Sequence, residues 1–190
     1  QPLSILEVVF DFRPNKALQR LTDVRMAQPL ALIMTDPYKL SVALFVAEFL
    51  TYATISEQQN DTLFKYIVYS VEWLDSAQGS IANFHVVFML RLARFLGFSP
   101  NMDTFGRGAY FDLREGVFAP TRPMHSDVVE PAEAEAISTL MRLNYANMGH
   151  MSLSRNQRNR CLDLILKYYR LHVASFPELK SLDILRELFV

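Results

Sequence analysis

A chain of 190 residues with 51% hydrophobic and 21% charged side chains has enough apolar material to build a core and too much to stay disordered. A formal net charge of -1 excludes a generally basic nucleic-acid binder, and a single cysteine excludes an internal disulfide or a cysteine-rich zinc site while fitting a reducing compartment. No charge-free apolar run reaches membrane-spanning length and no signal-peptide layout opens the chain, which predicts no membrane partner; the start at Gln1 reads as a trimmed or truncated protein.

Residues 3–12, LSILEVVFDF, put Leu6, Val8, Phe10 and Phe12 on one face and Glu7, Val9 and Asp11 on the other. That period of two predicts a half-buried strand. Pro14-Asn15-Lys16 supplies a turn, and 18–26 (LQRLTDVRM) returns as a second strand. Two strands alone are barely stable in water, so the pair either packs on the helices or belongs to a larger sheet. From residue 35 the pattern becomes helical. Thr35 or Asp36 can cap, and Pro37 suits the first turn of a helix over 38–54, apolar almost all round and so expected to be central. A second helix is predicted from Asp61 to Ala77, closed by Gly79, and a third over 81–96, stopped by Gly97 and Pro100. Glu130-Pro131 opens a fourth that ends near Gly149. Ser154 and Gln157 form a capping-box pattern for a fifth, through about residue 174, and Ser181 caps a last one over 182–189.

The stretch LGFSPNMDTFGRGAYFDLREGVFAPTRP, residues 96–123, interrupts this series with four of the six glycines. Tyr110-Phe111 and Val117-Phe118 flank the turn-like Arg114-Glu115-Gly116, the signature of a small β-hairpin. The fold class is therefore mainly α: a helical bundle with a hairpin knuckle over 31–190, preceded by an antiparallel strand pair within 1–30.

Catalytic constellations are not found, and the chain is not expected to be an enzyme. Cys161 falls inside the 155–174 helix beside Ile165, Tyr168 and His172, as a small core residue would. His85, His125, His150 and His172 lack metal-ligand spacing, and there is no P-loop and no GxSxG motif. Neither metal nor cofactor is expected. Charge is uneven: residues 31–80 carry six acidic and two basic side chains, residues 151–190 four acidic and seven basic. On the apolar 81–96 helix, Arg91 and Arg94 share a narrow polar arc with Asn83. They either pair with Glu48, the lone acid of the 38–54 helix, or form a fork for an incoming carboxylate. Along the 155–174 helix, Arg160, Lys167 and Arg170 lie on a polar strip with Asn156, Asn159 and Asp163, and Arg155 and Arg158 sit in its first turn. This is either a solvated face or a phosphate-contacting stripe.

The order of an apolar helix with internal Glu48, FHVVFMLRLARFLGFSPN at 84–101, a Gly-rich knuckle, further helices and LKSLDILRELF at 179–189 resembles the helical C-terminal part of the bacterial recombination mediator family RecO. The resemblance covers the whole chain, and LGFSPN and LKSL are its most specific pieces. It implies that the 3–26 strands are the closing hairpin of an incomplete N-terminal OB-fold. In many members the knuckle carries CxxC pairs around a structural zinc. Here the corresponding DTFGRGAYFDLREGVF has no cysteine, so packing by Phe105, Tyr110, Phe111 and Phe118 is expected to replace the metal. The implied function is DNA repair by the RecF pathway in the cytoplasm, at the nucleoid. Implied partners are single- and double-stranded DNA, held mainly by the OB-fold, RecR, and the acidic, aromatic-ended tail of single-stranded-DNA-binding protein. For that tail, Arg91, Arg94, Phe95 and Val87, with Lys180 and Leu182 as a second wall, are the candidate residues; for DNA, Arg155, Arg158, Arg160, Lys167 and Arg170. The competing reading is a helical protein-interaction module without nucleic-acid function.

Overall fold

The computed structural model describes residues 1–189. Helix α4 (Phe84–Phe95) sits at the middle of the molecule because its sequence leaves it almost no polar face. Phe84 through Leu90, Leu92 and Ala93 are all buried. Around it pack α3 (Asp61–Ser76), α5 (Pro131–Arg142) and α6 (Arg155–His172). Helix α2 (Pro37–Ala53), the element expected at the centre, lies instead at the edge. It buries Val42, Phe45, Val46 and Phe49 but leaves Tyr38 and Leu44 about half exposed. A helix that is apolar all round can thus still be peripheral, with surface apolar residues left over. The short α1 (Ala31–Thr35) and α7 (Leu182–Leu188) both lie against α2.

Rings fill the core. Phe49 meets Tyr169 edge to face at 4.8 Å, Tyr66 stacks on Phe95 at 4.7 Å, and Phe84 stacks on Tyr145 at 5.0 Å. Burying each Phe contributes roughly 1.5–3 kcal/mol. The phenols find acceptors: Tyr169 donates to the Met89 carbonyl at 2.7 Å and Tyr66 to that of Phe88 at 3.0 Å. Helix starts follow their caps. The Asp36 side chain accepts from the Tyr38 and Lys39 amides, and Ser154 and Gln157 close a full capping box on α6.

Two helix boundaries depart from expectation. The helix opened by Pro131 stops at Arg142 and does not run to Gly149. There Asn144 and Asn147 bond each other's backbone amides through their side-chain oxygens, closing a turn that competes with the helix. At the other end of the chain, Ser181 precedes α7 without capping it, because its hydroxyl donates to Glu48.

The knuckle is a three-stranded antiparallel sheet, one strand more than the hairpin anticipated. Strand β3 (Tyr110–Asp112) lies between β4 (Val117–Ala119) and β5 (Val128–Val129). Phe111, Leu113, Phe118 and Val129 pack with Ala134 and Ile137 of α5 and Leu164 and Tyr168 of α6 into a second core. Phe105 and Phe118 meet at 5.1 Å, Phe111 and Phe118 at 4.8 Å. Tyr110 stays half-buried outside that cluster, so the expected packing role falls to the other three rings. Gly116 closes the β3–β4 turn at φ +66, where an added Cβ would lie 2.6 Å from the Tyr168 hydroxyl.

Strands β1 (Ile5–Asp11) and β2 (Arg20–Gln28) pair antiparallel, with register slips opposite Thr22 and Ala27. They are not half-buried as their alternation suggests. Both faces are exposed, from Leu6 through Phe12, which is 73% exposed. The ribbon does not use the helices as its second layer.

Candidate functional site

The sequence-nominated groups are distributed over several elements, and each was settled by a contact distant in sequence. Glu48 does not pair with Arg91 or Arg94. Its carboxylate accepts the backbone amides of Lys180 and Ser181, both at 2.8 Å, and the Ser181 hydroxyl, so it clamps the segment entering α7. Partial burial pushes its pKa up, but the Ser181 and Lys180 hydrogen bonds and the Lys180 charge outweigh it and hold the carboxyl below its usual value. Arg91 is half-buried and donates from Nε to the Leu143 carbonyl at 3.0 Å. Arg94 is exposed on the same helix, and Phe95 stacks on Tyr66. Val87 and Leu182, 1% and 7% exposed, belong to the core and cannot line an open pocket as they stand. Lys180 is exposed beside Glu48, on the α2 side. Arg91, Arg94 and Phe95 therefore share α4, while Lys180 and Leu182 answer to α2.

The α6 strip is likewise divided. Arg158 is 8% exposed and donates to Asn83 Oδ1 at 3.2 Å and the Leu153 carbonyl at 2.8 Å, which removes it from the surface set. Arg155 donates to the Arg186 carbonyl at 2.9 Å. Arg160 grips Glu133, and Lys167 reaches Asp127 at 2.9 Å. Arg170 stays exposed. Most positive charge on this face is matched by a nearby acid. Cys161 is buried between these turns, and burial pushes its thiol up to about 11, as expected of a core residue.

Sequence reasoning missed the polar staple of the knuckle. Asp112 is 6% exposed, and its Oδ1 accepts the Arg114 and Glu115 amides at 2.8 and 3.2 Å. His125 Nδ1 accepts the Asp127 amide, which places the ring proton on Nε2, where it donates to Asp112 Oδ2 at 3.0 Å. Asp127 in turn receives Arg114 at 2.7 Å and Lys167. Partial burial raises the Asp112 pKa, yet the Glu115, Arg114 and His125 hydrogen bonds together hold it below its usual value. A family-type zinc does not fit this site. The sulfur donors are missing, the oxygens and ring nitrogens present are committed to internal partners, and among the described residues no three His, Cys, Asp or Glu side chains converge. Only the spacing of the single His125 to Asp112 and Asp127 could have hinted at it.

A further arrangement surrounds the chain's tail. Between α1, the start of α2 and the α3–α4 loop lies a cavity of about 510 Å³, lined by Leu32, Tyr38, Lys39, Gly79, Ile81 and Phe189. Lys39, 5% exposed, donates to the Asp75 and Ala77 carbonyls at 2.6 and 2.7 Å, so it caps the C-terminal end of α3. The Phe189 ring stacks on Tyr38 at 6.0 Å and lies parallel to the His85 imidazole at 6.3 Å. The Arg158 guanidinium stands 5.5 Å from its centroid. His85 is buried with Nδ1 unpartnered, and burial, with the Arg158 charge, drives its pKa down to about 3. A lone Lys in an apolar helix and a lone His in another were the available signals.

The family model described as "Recombination protein O C terminal" matches residues 34–183. The chain is 46% identical over 190 residues to the DNA repair protein RecO of Bacteroides fragilis, covering all of this chain and 78% of that protein. It is 45% identical over 189 residues to the protein of the same name from Phocaeicola vulgatus and 32% identical over 191 residues to that of Porphyromonas gingivalis, each with 78% of the relative covered. Among the described residues no helix is long and apolar enough to cross a membrane.

Proposed function

Because this chain belongs to the RecO family of DNA repair proteins, we propose that it serves recombinational repair as a mediator without covalent chemistry of its own. In this reading it binds single- and double-stranded DNA, RecR and the tail of single-stranded-DNA-binding protein, and so promotes strand annealing and recombinase loading. The observation that carries it is the 46% identity to a DNA repair protein across every residue of the chain. The ribbon supports it from a second direction. Leu6, Val8, Val9, Phe10, Leu21, Val24 and Met26 are exposed on a two-stranded sheet, and a pair of strands that long gains stability only when further strands or another layer cover it. Completion of an OB-fold on this ribbon would supply both the cover and the DNA groove.

The tail needs an apolar pocket for its terminal ring and a cation for its carboxylate. With Val87 and Leu182 in the core, Arg91, Arg94 and Lys180 are left as steering charges and not as pocket walls. The second reading, a protein-interaction module without nucleic-acid function, draws on the α6 cations being matched by Glu133 and Asp127. A salt titration of DNA binding separates the two. Phosphate contacts give a log–log slope of about -0.9 per phosphate neutralised on duplex DNA, so a mediator shows a steep negative slope. Absence of DNA binding at low salt would leave the second reading standing.

A further inference from the structure

Two cations and an aromatic ring meet at the tail slot without a carboxylate among them. Lys39 and Arg158 are both buried, and their recorded acceptors are carbonyl or amide oxygens; among the described residues neither forms an ion pair. The α3 carbonyl end offsets part of the Lys39 charge, but Arg158 lies in the first turns of α6, where the helix dipole is unfavourable to a cation. Buried cations with neutral partners favour the arrival of an anion. Phe189 fills the remaining requirement, since its ring already demonstrates that the surface of Tyr38, His85 and Arg158 accepts an aromatic group. The slot's occupant is held weakly: Phe189 follows a helix of seven residues, remains partly exposed, and borders the open cavity.

We propose that this slot is an exchangeable site for an acidic peptide ending in an aromatic residue, and that Phe189 is the stand-in which occupies it until such a peptide arrives. The peptide's ring replaces that of Phe189 between Tyr38 and His85, and its carboxylate lies toward Lys39 and Arg158. The partner named here rests on the mediator reading above; the exchange is an added claim.

The test uses the 190-residue chain and a fluorescein-labelled acidic peptide ending in Phe with a free carboxylate. With the slot open in about a tenth of molecules, Phe189→Ala raises the affinity about tenfold, because the competent fraction multiplies the intrinsic constant. Amidating the peptide's end, or replacing its terminal Phe with Ala, weakens binding to both proteins. A 4-fluorophenylalanine label at position 189 gives a second readout, its fluorine resonance moving to a solvent-exposed position at saturation. Equal or weaker binding by Phe189→Ala, or an unmoved fluorine resonance, overturns the exchange while leaving the peptide as a partner. Binding to neither protein overturns the exchange and the partner together. If Phe189→Ala does not fold, the fluorine resonance decides alone.

Discussion

The ribbon and the knuckle are both antiparallel β, and the longer one is the less secure. Strands β1 and β2 pair over seven and nine residues yet present no buried face, whereas β3 and β4, three residues each, bury Phe111 and Phe118 completely enough to form a core with α5 and α6. Strand length therefore says little about stability; the second layer decides it. The ribbon has backbone hydrogen bonds and no roof. In the knuckle, an aromatic cluster fills the inside and the Asp112–His125–Asp127 staple ties the loop outside, so short strands suffice.

Truncation of a ring should separate the two regions most sharply. Phe111→Ala is expected to cost about 3–5 kcal/mol in urea unfolding, whereas Phe10→Ala, at an exposed position, should stay within about 0.5 kcal/mol. Comparable losses at both sites would mean that the ribbon is covered in solution. A backbone change comes next. Gly116→Ala forces a side chain onto a left-handed residue and against the Tyr168 hydroxyl, with an expected loss of roughly 1–3 kcal/mol; a wild-type melting temperature would show that the turn yields freely.

Acid should then distinguish the knuckle from the main core. The His85 pKa falls to about 3 in the folded protein against an ordinary value near 6.5, so the unfolded chain binds the proton first. Stability that the neutral ring permits at pH 7 is lost between about pH 6.5 and 3, and His85→Phe should flatten that part of the profile. Asp112 is depressed instead, so its contribution is complete above the ordinary carboxylate value near 3.9 and disappears as pH falls through its lower folded value. Asp112→Asn should alter only that lowest window, and an effect above pH 5 would contradict the assignment. The smallest effect concerns the ribbon: its amides should exchange with solvent faster than those of α4, and equal protection would imply an unseen cover.

Local chemistry was readable in the sequence wherever cause and effect lie within a few residues. Ser154 with Gln157, Asp36 with Pro37, and the Arg114-Glu115-Gly116 turn each appear where their residue types require. What escaped depends on partners far along the chain. Glu48 looked destined for a guanidinium because both are charged, but the amides of Lys180 and Ser181, more than 130 residues away, satisfy it without a counter-ion. Arg158 reads as a first-turn surface cation until α4 brings Asn83 beneath it. Tyr38, His85 and Phe189 belong to three elements with no shared motif, so their meeting could not be read from spacing.

The account's central claim, mediation of DNA repair without catalysis, is tested most directly by annealing of complementary strands coated with single-stranded-DNA-binding protein. The account predicts that the protein accelerates annealing of coated strands without nucleotide or metal cofactor, and that removing the aromatic end of the coating protein's tail abolishes the acceleration. Unchanged annealing in the presence of saturating protein would contradict it.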